Sequence, residues 1–349
     1  MFIPLASGRP TTFRPHTSQI SQNDWDVLAD FWHPVALASD VKDRPLAAKL
    51  LDVGLVLFRG VDGTVAVAID VCPHRHIRLS TGKVIDGEIV CPFHGMRFDV
   101  SGRCQLIPAM GGKVNLPASY RVATFASCER YGLIWVCLGQ SGKHSVPDFP
   151  ALDGVPVSEL EFLGPQSWPV SAARQVENFF DLAHLPLVHA DTIGGDATAA
   201  MKPGRVEQLG DAVTLKVHYV ETLPDVPPRP CDFTYRIVLP FAIDFQIQDE
   251  TDNLMHAYNI PSPTTAHTTM VFQIFRVTDS KLNANRQIQR GFREVFGRVN
   301  QQDIDVLSGL AMPDMPLDQH HEVHLPVDNI CGGYRTRLRQ LGLGRTSPD

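Results

Sequence analysis

Residues 72–99 read CPHRHIRLSTGKVIDGEIVCPFHGMRFD, and two pairs of metal-binding side chains stand in that stretch: Cys72 with His74, and Cys91 with His94. The residues between His74 and Cys91 number 16, so the pattern is C-x-H-x16-C-x2-H. Two thiolates and two imidazoles suit zinc or an iron–sulfur centre. Each pair mixes one Cys with one His. Two loops can therefore clamp a two-iron cluster, with both Cys on one iron and both His on the other. Replacing two thiolates by neutral imidazoles raises the reduction potential above that of an all-Cys cluster.

Short β-rich runs surround the motif. LVLFRG (55–60), TVAVAID (64–70), EIVCPF (88–93), MRFDV (96–100) and LIWVCLG (133–139) are punctuated by Asp62-Gly63, Asp86-Gly87 and Ser101-Gly102. Such runs and turn pairs predict a compact all-β domain. Cys104, Cys128, Cys137, Cys231 and Cys331 lack ligand spacing and read as buried small residues.

The chain has 349 residues, 44% hydrophobic and 20% charged, enough for about two domains with full cores. The net charge of −7 argues against nucleic acid, which selects a basic face. No apolar run approaches a membrane span, and Pro and polar residues break the opening MFIPLASGRPTTFRPHTSQ where a signal peptide needs an apolar core. A cytoplasmic protein without membrane contact is expected. Seven cysteines scattered over 72–331 fit reduced thiols plus a metal site better than a disulfide framework.

The expected organisation is an arm over 1–24, the β domain over 25–145 and a second domain over 146–349, joined through the Pro/Gly/Ser-rich segment 141–158. The second domain reads as α+β. A helix is expected over 172–190. LKVHYVETL, FTYRIVLPFAIDFQI, LMHAYNI and TTMVFQIFRV follow as antiparallel strands, with helices over 284–309 and 328–342. On the first helix Asn178, Asp181 and His184 share a face, and Pro186 interrupts the ladder so that a kink can return His189 toward His184. Two His and a carboxylate make the facial triad of iron(II) oxygenases. The carboxylate must come from elsewhere in the chain.

The 72–99 segment resembles a full two-loop Rieske [2Fe–2S] segment, and N-x-x-D-x-x-H-x4-H from Asn178 to His189 resembles the iron motif of Rieske non-haem iron oxygenases. The resemblance runs from about Trp32 to Leu341. It is strongest to the oxygenase components of the vanillate and dicamba O-demethylase and toluenesulfonate methyl-monooxygenase group. It implies a [2Fe–2S] cluster on Cys72, His74, Cys91 and His94, and Fe(II) on His184, His189 and Asp303. In the family the acid follows the second sheet, which leaves Asp303, Asp305 and Asp314; Asp303 is taken first because Gln302-Asp303-Ile304-Asp305-Val306 resembles the family's acidic-Asp-x-x-Val stretch, with Gln302 where relatives often carry Glu. It also implies an all-β Rieske domain followed by a helix-grip catalytic domain, an antiparallel sheet flanked by helices. Asp181 would bridge cluster and iron across a subunit boundary, with Asn178 beside it. O2, electrons from NAD(P)H through a flavin/iron–sulfur reductase, and a homotrimer follow.

Asn259 falls where dicamba demethylase has a pocket histidine. Phe292 and Phe296 populate the stretch where the family tryptophan is missing. The resemblance therefore points away from dicamba and toward methyl hydroxylation of a small anionic arene, with 4-toluenesulfonate going to 4-sulfobenzyl alcohol. O-demethylation of a methoxylated acid such as vanillate is the alternative.

Overall fold

The computed structural model describes residues 13–112, 116–198, 201, 203–209, 212–221, 229–249, 254–277, 286–318 and 320–344. The chain divides into two compact units at Val146/Pro147.

The first unit opens on helix α1 (Gln22–Ala29), which starts inside the segment expected to be an arm. Ser21 caps it, accepting from the Asp24 N–H at 3.1 Å, a signal present in the sequence as Ser-x-x-Asp. Residues 1–12 of the expected arm lie outside the described residues. Then come β1 (His33–Leu37), β2 (Leu46–Leu50), β3 (Val53–Arg59), β4 (Val65–Ile69), β5 (Lys83–Ile85), β6 (Glu88–Val90), β7 (Arg97–Phe98), β8 (Cys104–Leu106), β9 (Thr124–Arg130) and β10 (Leu133–Cys137). One sheet runs β1-β10-β9-β4-β3-β2, and β5-β6-β7-β8 form a second. β1 precedes the first β-rich run read from the sequence, LVLFRG at 55–60. It holds Pro34 and lies at a sheet edge, where a missing N–H costs nothing. Val56, Phe58, Ala68, Leu79, Ile89, Met96 and Phe98 make one core, and Cys72 and Cys91 belong to it.

The second unit contains β11 (Glu161–Trp168), α2 (Ala172–Phe180), α3 (Leu185–Val188), β12 (Arg205–Leu209), β13 (Ala212–Glu221), β14 (Arg229–Val238), β15 (Ala242–Asp249), β16 (Leu254–Pro263), β17 (Thr269–Val277), α4 (Arg286–Leu307) and α5 (Asn329–Gln340). The sheet is antiparallel throughout, in the order β11-β17-β16-β15-β14-β13-β12. β12 to β17 form a meander, and β11 closes its far edge on β17. β11 was not expected. Its Gly164-Pro165 breaks the alternation, and the register with β17 shifts between Leu163 and Gln166. The registers Ile237↔Ile243↔Asn259↔Gln273 and Tyr235↔Phe245↔Ala257↔Phe275 place these residues on one sheet face.

Helix α2 holds to this face through side-chain amides. Gln175 and Asn259 exchange hydrogen bonds, Asn259 donating at 2.8 Å. Gln273 donates to Asn259 at 3.1 Å, and Asn300 of α4 donates to Gln273 at 2.9 Å and to Gln166 at 3.0 Å. Gln175, Asn259, Gln273 and Asn300 are all buried, so every lost bond would leave an amide without water. Behind α2, Glu177 meets Arg335 of α5 at 2.7 Å and Arg174 at 2.6 Å. Among the described residues, no helix is long and apolar enough to cross a membrane.

Candidate metal centres

In the first unit two turns repeat one backbone design. The Cys72 N–H donates to Ile77 O at 2.9 Å and the Cys91 N–H to Met96 O at 2.8 Å. His76 N–H returns to Cys72 O at 2.9 Å, and Gly95 N–H to Cys91 O at 3.1 Å. The fourth residue after each Cys is left-handed, with φ of 59° at His76 and 69° at Gly95. The turns thus bring both sulfurs into the core and both imidazoles to the surface. His74 Nδ1 and His94 Nδ1 lie 3.2 Å apart, and both residues are exposed. Burial pushes the Cys72 thiol up to about 12, with Cys91 adding to the rise. Two thiols held together in an apolar core fit a cation between them, which would stabilise the thiolates.

The second unit's site departs from one continuous helix over 172–190. α2 ends at Phe180, and Asp181 is extended at φ −70°, ψ 118°. Asn178, Asp181 and His184 therefore do not share a helix face. α3 starts afresh after His184, with Pro186 in its first turn, where a missing N–H is harmless. The expected kink is a full break before α3, and His184 and His189, at the two ends of α3, bring their Nε2 atoms within 3.2 Å.

Asp303, buried on α4, joins them. Its Oδ1 lies 3.1 Å from His189 Nε2 and 3.4 Å from His184 Nε2, yet accepts no hydrogen bond. Three donor atoms thus form a triangle with sides near 3 Å, the spacing of adjacent ligands about 2.1 Å from one octahedral ion. The electrostatics favour positive charge at this point as well. Burial lowers the His184 pKa, but Asp181 and Asp303 outweigh it and carry it up to about 9. Burial raises the Asp303 carboxyl, but the two imidazoles outweigh it and hold it below the usual carboxylate range. Among the described residues this is the one group of three or more His, Cys, Asp or Glu side chains close enough to hold an ion. The donor set fits a divalent iron.

Each imidazole has a polar partner on the side away from the triangle. His184 Nδ1 stands 3.3 Å from Asp181 Oδ2, and Asp181 Oδ1 accepts from the Ala183 N–H at 2.8 Å. His189 Nδ1 stands 3.0 Å from Gln302 Oε1. Asp305 is exposed and accepts from Gln301 at 2.7 Å, away from the triangle. Asp314 pairs with His267 at 2.8 Å.

A pocket opens beside the triangle, lined by Asn178, Phe179, Ile193, Tyr219, Phe233, Tyr235, Phe245, Ile247, Phe296 and Asn300 together with the three donors. Its sheet wall is a ring cluster: Tyr235 stacks on Phe245 at 4.3 Å, and Phe233 meets Phe245 edge-on at 5.1 Å. Burial holds the Tyr235 hydroxyl well above its usual pKa, so it stays protonated. Of the residues expected to contact substrate, Phe296 lines this pocket and the Phe292 side chain lies outside the described residues. Asn259 is a correction. It is fully buried in the amide chain with Gln175 and Gln273 and does not line the pocket. The sequence reading missed Tyr219, Phe233, Tyr235, Phe245 and Ile247. Their period-2 alternation on adjacent strands was the available signal.

Residues 31–126 match the Rieske [2Fe-2S] domain, and residues 168–343 match the vanillate O-demethylase oxygenase C-terminal domain. The chain is 30% identical to methylxanthine N1-demethylase NdmA of Pseudomonas putida, over 92% of this chain and 91% of that one. It is 34% identical, over 51% of each chain, to TsaM2 of Comamonas testosteroni, named for the iron–sulfur subunit of a toluene-4-sulfonate monooxygenase system. The solved structure of NdmA from Pseudomonas putida CBB5 with caffeine superposes with a TM-score of 0.77 at 28% identity, covering 90% of each chain.

Proposed function

The chain belongs to the Rieske non-haem iron oxygenases of the vanillate O-demethylase type, and from that premise we propose that it is the oxygenase component of a system hydroxylating a methyl group carried by an aromatic substrate. The observation that carries this reading is the triangle of His184, His189 and Asp303, open on one side to an aromatic-walled pocket. Cys72, His74, Cys91 and His94 would hold the [2Fe–2S] cluster, and His184, His189 and Asp303 the Fe(II). When bound, the two metal groups supply single-electron transfer and the activation of O2 toward a C–H bond.

The residues around them do the rest. Tyr235, Phe245 and Phe233 hold a planar ring against the sheet wall and exclude water. Asp181 fixes which nitrogen of His184 carries the proton, leaving its Nε2 free as a ligand. The overall change is R–CH3 + O2 + NAD(P)H + H+ to R–CH2OH + H2O + NAD(P)+, with electrons arriving through a flavin/iron–sulfur reductase. Where the methyl sits on oxygen or nitrogen, the hydroxymethyl product releases formaldehyde and leaves a demethylated substrate.

We assign a neutral aromatic as the first substrate class. No Lys or Arg appears among the described lining residues, and an unpaired anion costs more to bury than a neutral ring. N-methylated heteroarenes and methoxyarenes fit, and NdmA, a methylxanthine demethylase by name, supports the former. 4-Toluenesulfonate, going to 4-sulfobenzyl alcohol, is the second reading, supported by the likeness to TsaM2; its sulfonate would enter this lining without a cationic partner. A panel of N-methylxanthines, methoxyarenes, vanillate and 4-toluenesulfonate, assayed with reductase for product and coupled oxygen uptake, decides between them. Turnover confined to the sulfonate overturns the charge argument. Oxygen uptake uncoupled from product for every member overturns the proposal.

We further assign a head-to-tail homotrimer, in which the cluster of one copy serves the iron of the next with Asp181 between them. A heterologous three-fold ring closes such a circuit with one kind of chain. A monomer with full oxygenase activity would overturn it.

A further inference from the structure

The outer partners of the two imidazoles differ in charge. His184 leans on a carboxylate, Asp181, at 3.3 Å, whereas His189 leans on a neutral amide, Gln302, at 3.0 Å. The same Gln302 oxygen is the nearer acceptor for the Thr192 hydroxyl, at 3.0 Å against 3.3 Å to His189 O. His189 and Thr192 are both almost fully buried, so these groups have no water to turn to. A tight turn sets the arrangement. Thr192 N–H and Gly194 N–H both donate to His189 O, at 2.9 and 2.8 Å, folding the chain back so that Thr192 lies beside its own histidine. A Cβ on Gly194 would stand 2.8 Å from that carbonyl, so the turn closes only around glycine. Gln302 adjoins Asp303 in the chain. One turn of α4 thereby supplies a candidate ligand and the partner that aims another.

We propose that Gln302, buttressed by Thr192, is the positioning residue of the mononuclear iron site. It accepts the His189 Nδ1–H, fixes that tautomer and leaves the Nε2 lone pair facing the space bounded by Asp303 Oδ1 and His184 Nε2. This rests on the reading of His184, His189 and Asp303 as iron ligands. The amide oxygen, rather than its nitrogen, must face the ring, because a metal on Nε2 leaves the ring proton on Nδ1. An acceptor of this kind raises the basicity of the ligand and fixes the orientation of its ring, and removing such a partner weakens metal affinity about 10–100-fold. Because the acceptor is neutral, the site carries one negative charge fewer than a carboxylate at position 302 would give it.

The test is metal affinity, read apart from turnover. Purified holoprotein is stripped of its mononuclear metal with a chelator that leaves the cluster spectrum unchanged. Fe(II) is then titrated back anaerobically against a competing chromophoric chelator. Gln302→Leu removes the acceptor and is expected to weaken Fe(II) binding about 10–100-fold. Gln302→Glu can only accept, so it is expected to bind Fe(II) as tightly as the parent or more tightly. Thr192→Val frees one lone pair of the amide and is expected to weaken binding by less than Gln302→Leu does. Parent-like affinity in Gln302→Leu overturns the proposal. So does equal loss in Gln302→Leu and Gln302→Glu, because packing rather than acceptance would then be what counts. Should Gln302→Leu fail to fold, Gln302→Glu and Thr192→Val still decide: weakened binding in the first, or unchanged binding in the second, overturns it. A parent protein that takes up no Fe(II), or takes it up equally after His184→Ala, overturns instead the ligand reading on which this proposal rests.

Discussion

The Cys72–His94 region draws its four candidate ligands from two copies of one tight turn, whereas the His184–Asp303 region draws three from a broken helix and from a helix that follows the whole second sheet. In the first, backbone hydrogen bonds from Cys72 and Cys91 hold each loop to itself. In the second, the donors converge only after the β12–β17 meander is assembled and the amides of Gln175, Asn259, Gln273 and Asn300 have tied α2 to α4 across it. A site built from local turns keeps its geometry when distant parts change. A site built across a sheet inherits every error in the packing beneath it.

The largest expected effects separate the two regions completely. Cys91→Ala should abolish the cluster's visible and electron paramagnetic signals while leaving Fe(II) binding in the second unit. Asp303→Ala should do the reverse, abolishing mononuclear iron and turnover with the cluster intact. Asp305→Ala, altering an exposed side chain, should leave both metals and turnover near the parent. Loss of iron in Asp305→Ala with retention in Asp303→Ala would move the ligand role to Asp305.

A smaller effect tests whether the two regions work as one circuit. Asp181→Asn keeps shape but gives up charge, and a charge-assisted hydrogen bond is about twice as strong as a neutral one. Both metals should remain bound, while cluster reoxidation in single-turnover stopped flow slows about 10–100-fold. Parent rates at full metal occupancy would reduce Asp181 to a loop acid.

Acid should act on the first unit through His33. Burial pulls its pKa down from 6.5 to about 4, with the bond to Leu28 O opposing the shift. The folded form binds the proton less readily than the unfolded chain. The stabilisation is therefore complete above pH 6.5 and is lost as pH falls toward 4, by about 3 kcal/mol at most. Denaturant titrations of the parent and of His33→Gln should diverge in that window; identical pH dependence would clear His33 of the role.

The smallest changes probe the paired turns. Gly95→Ala puts a Cβ at φ 69°, 3.0 Å from Pro108 Cγ, and should cost about 1–2 kcal/mol. His76→Gly relieves the matching strain at φ 59° but loosens the unfolded chain, so its net effect should stay within about 1 kcal/mol. Equal losses in both variants would show that the two turns are not equivalent.

What the sequence disclosed follows the same division. The Cys-x-His and Cys-x2-His spacing lies within one short stretch, and the sheets around it carry plain turn pairs. The helices at 286–307 and 329–340 were legible from periodicity. The break after Phe180 was not, although Pro186 marked a helix start and not an interior. Asn259 was misplaced because position along a strand does not say what a polar side chain meets; Gln175 and Gln273, far away in sequence, decide that. The aromatic wall went unread because it exists only once β13, β14 and β15 are in register.

That wall has an evolutionary consequence. Tyr219, Phe233, Tyr235, Phe245 and Ile247 shape the pocket from strands that carry none of the three candidate iron donors. Selection can therefore resculpt the cavity by exchanging these rings for smaller or more polar side chains while the donors stay fixed on their own segments. Asn300 offers no such freedom, since any replacement unties Gln166 and Gln273. New chemistries of recognition should thus accumulate on the strands and spare the helices, and libraries for altered substrate range belong at those five positions.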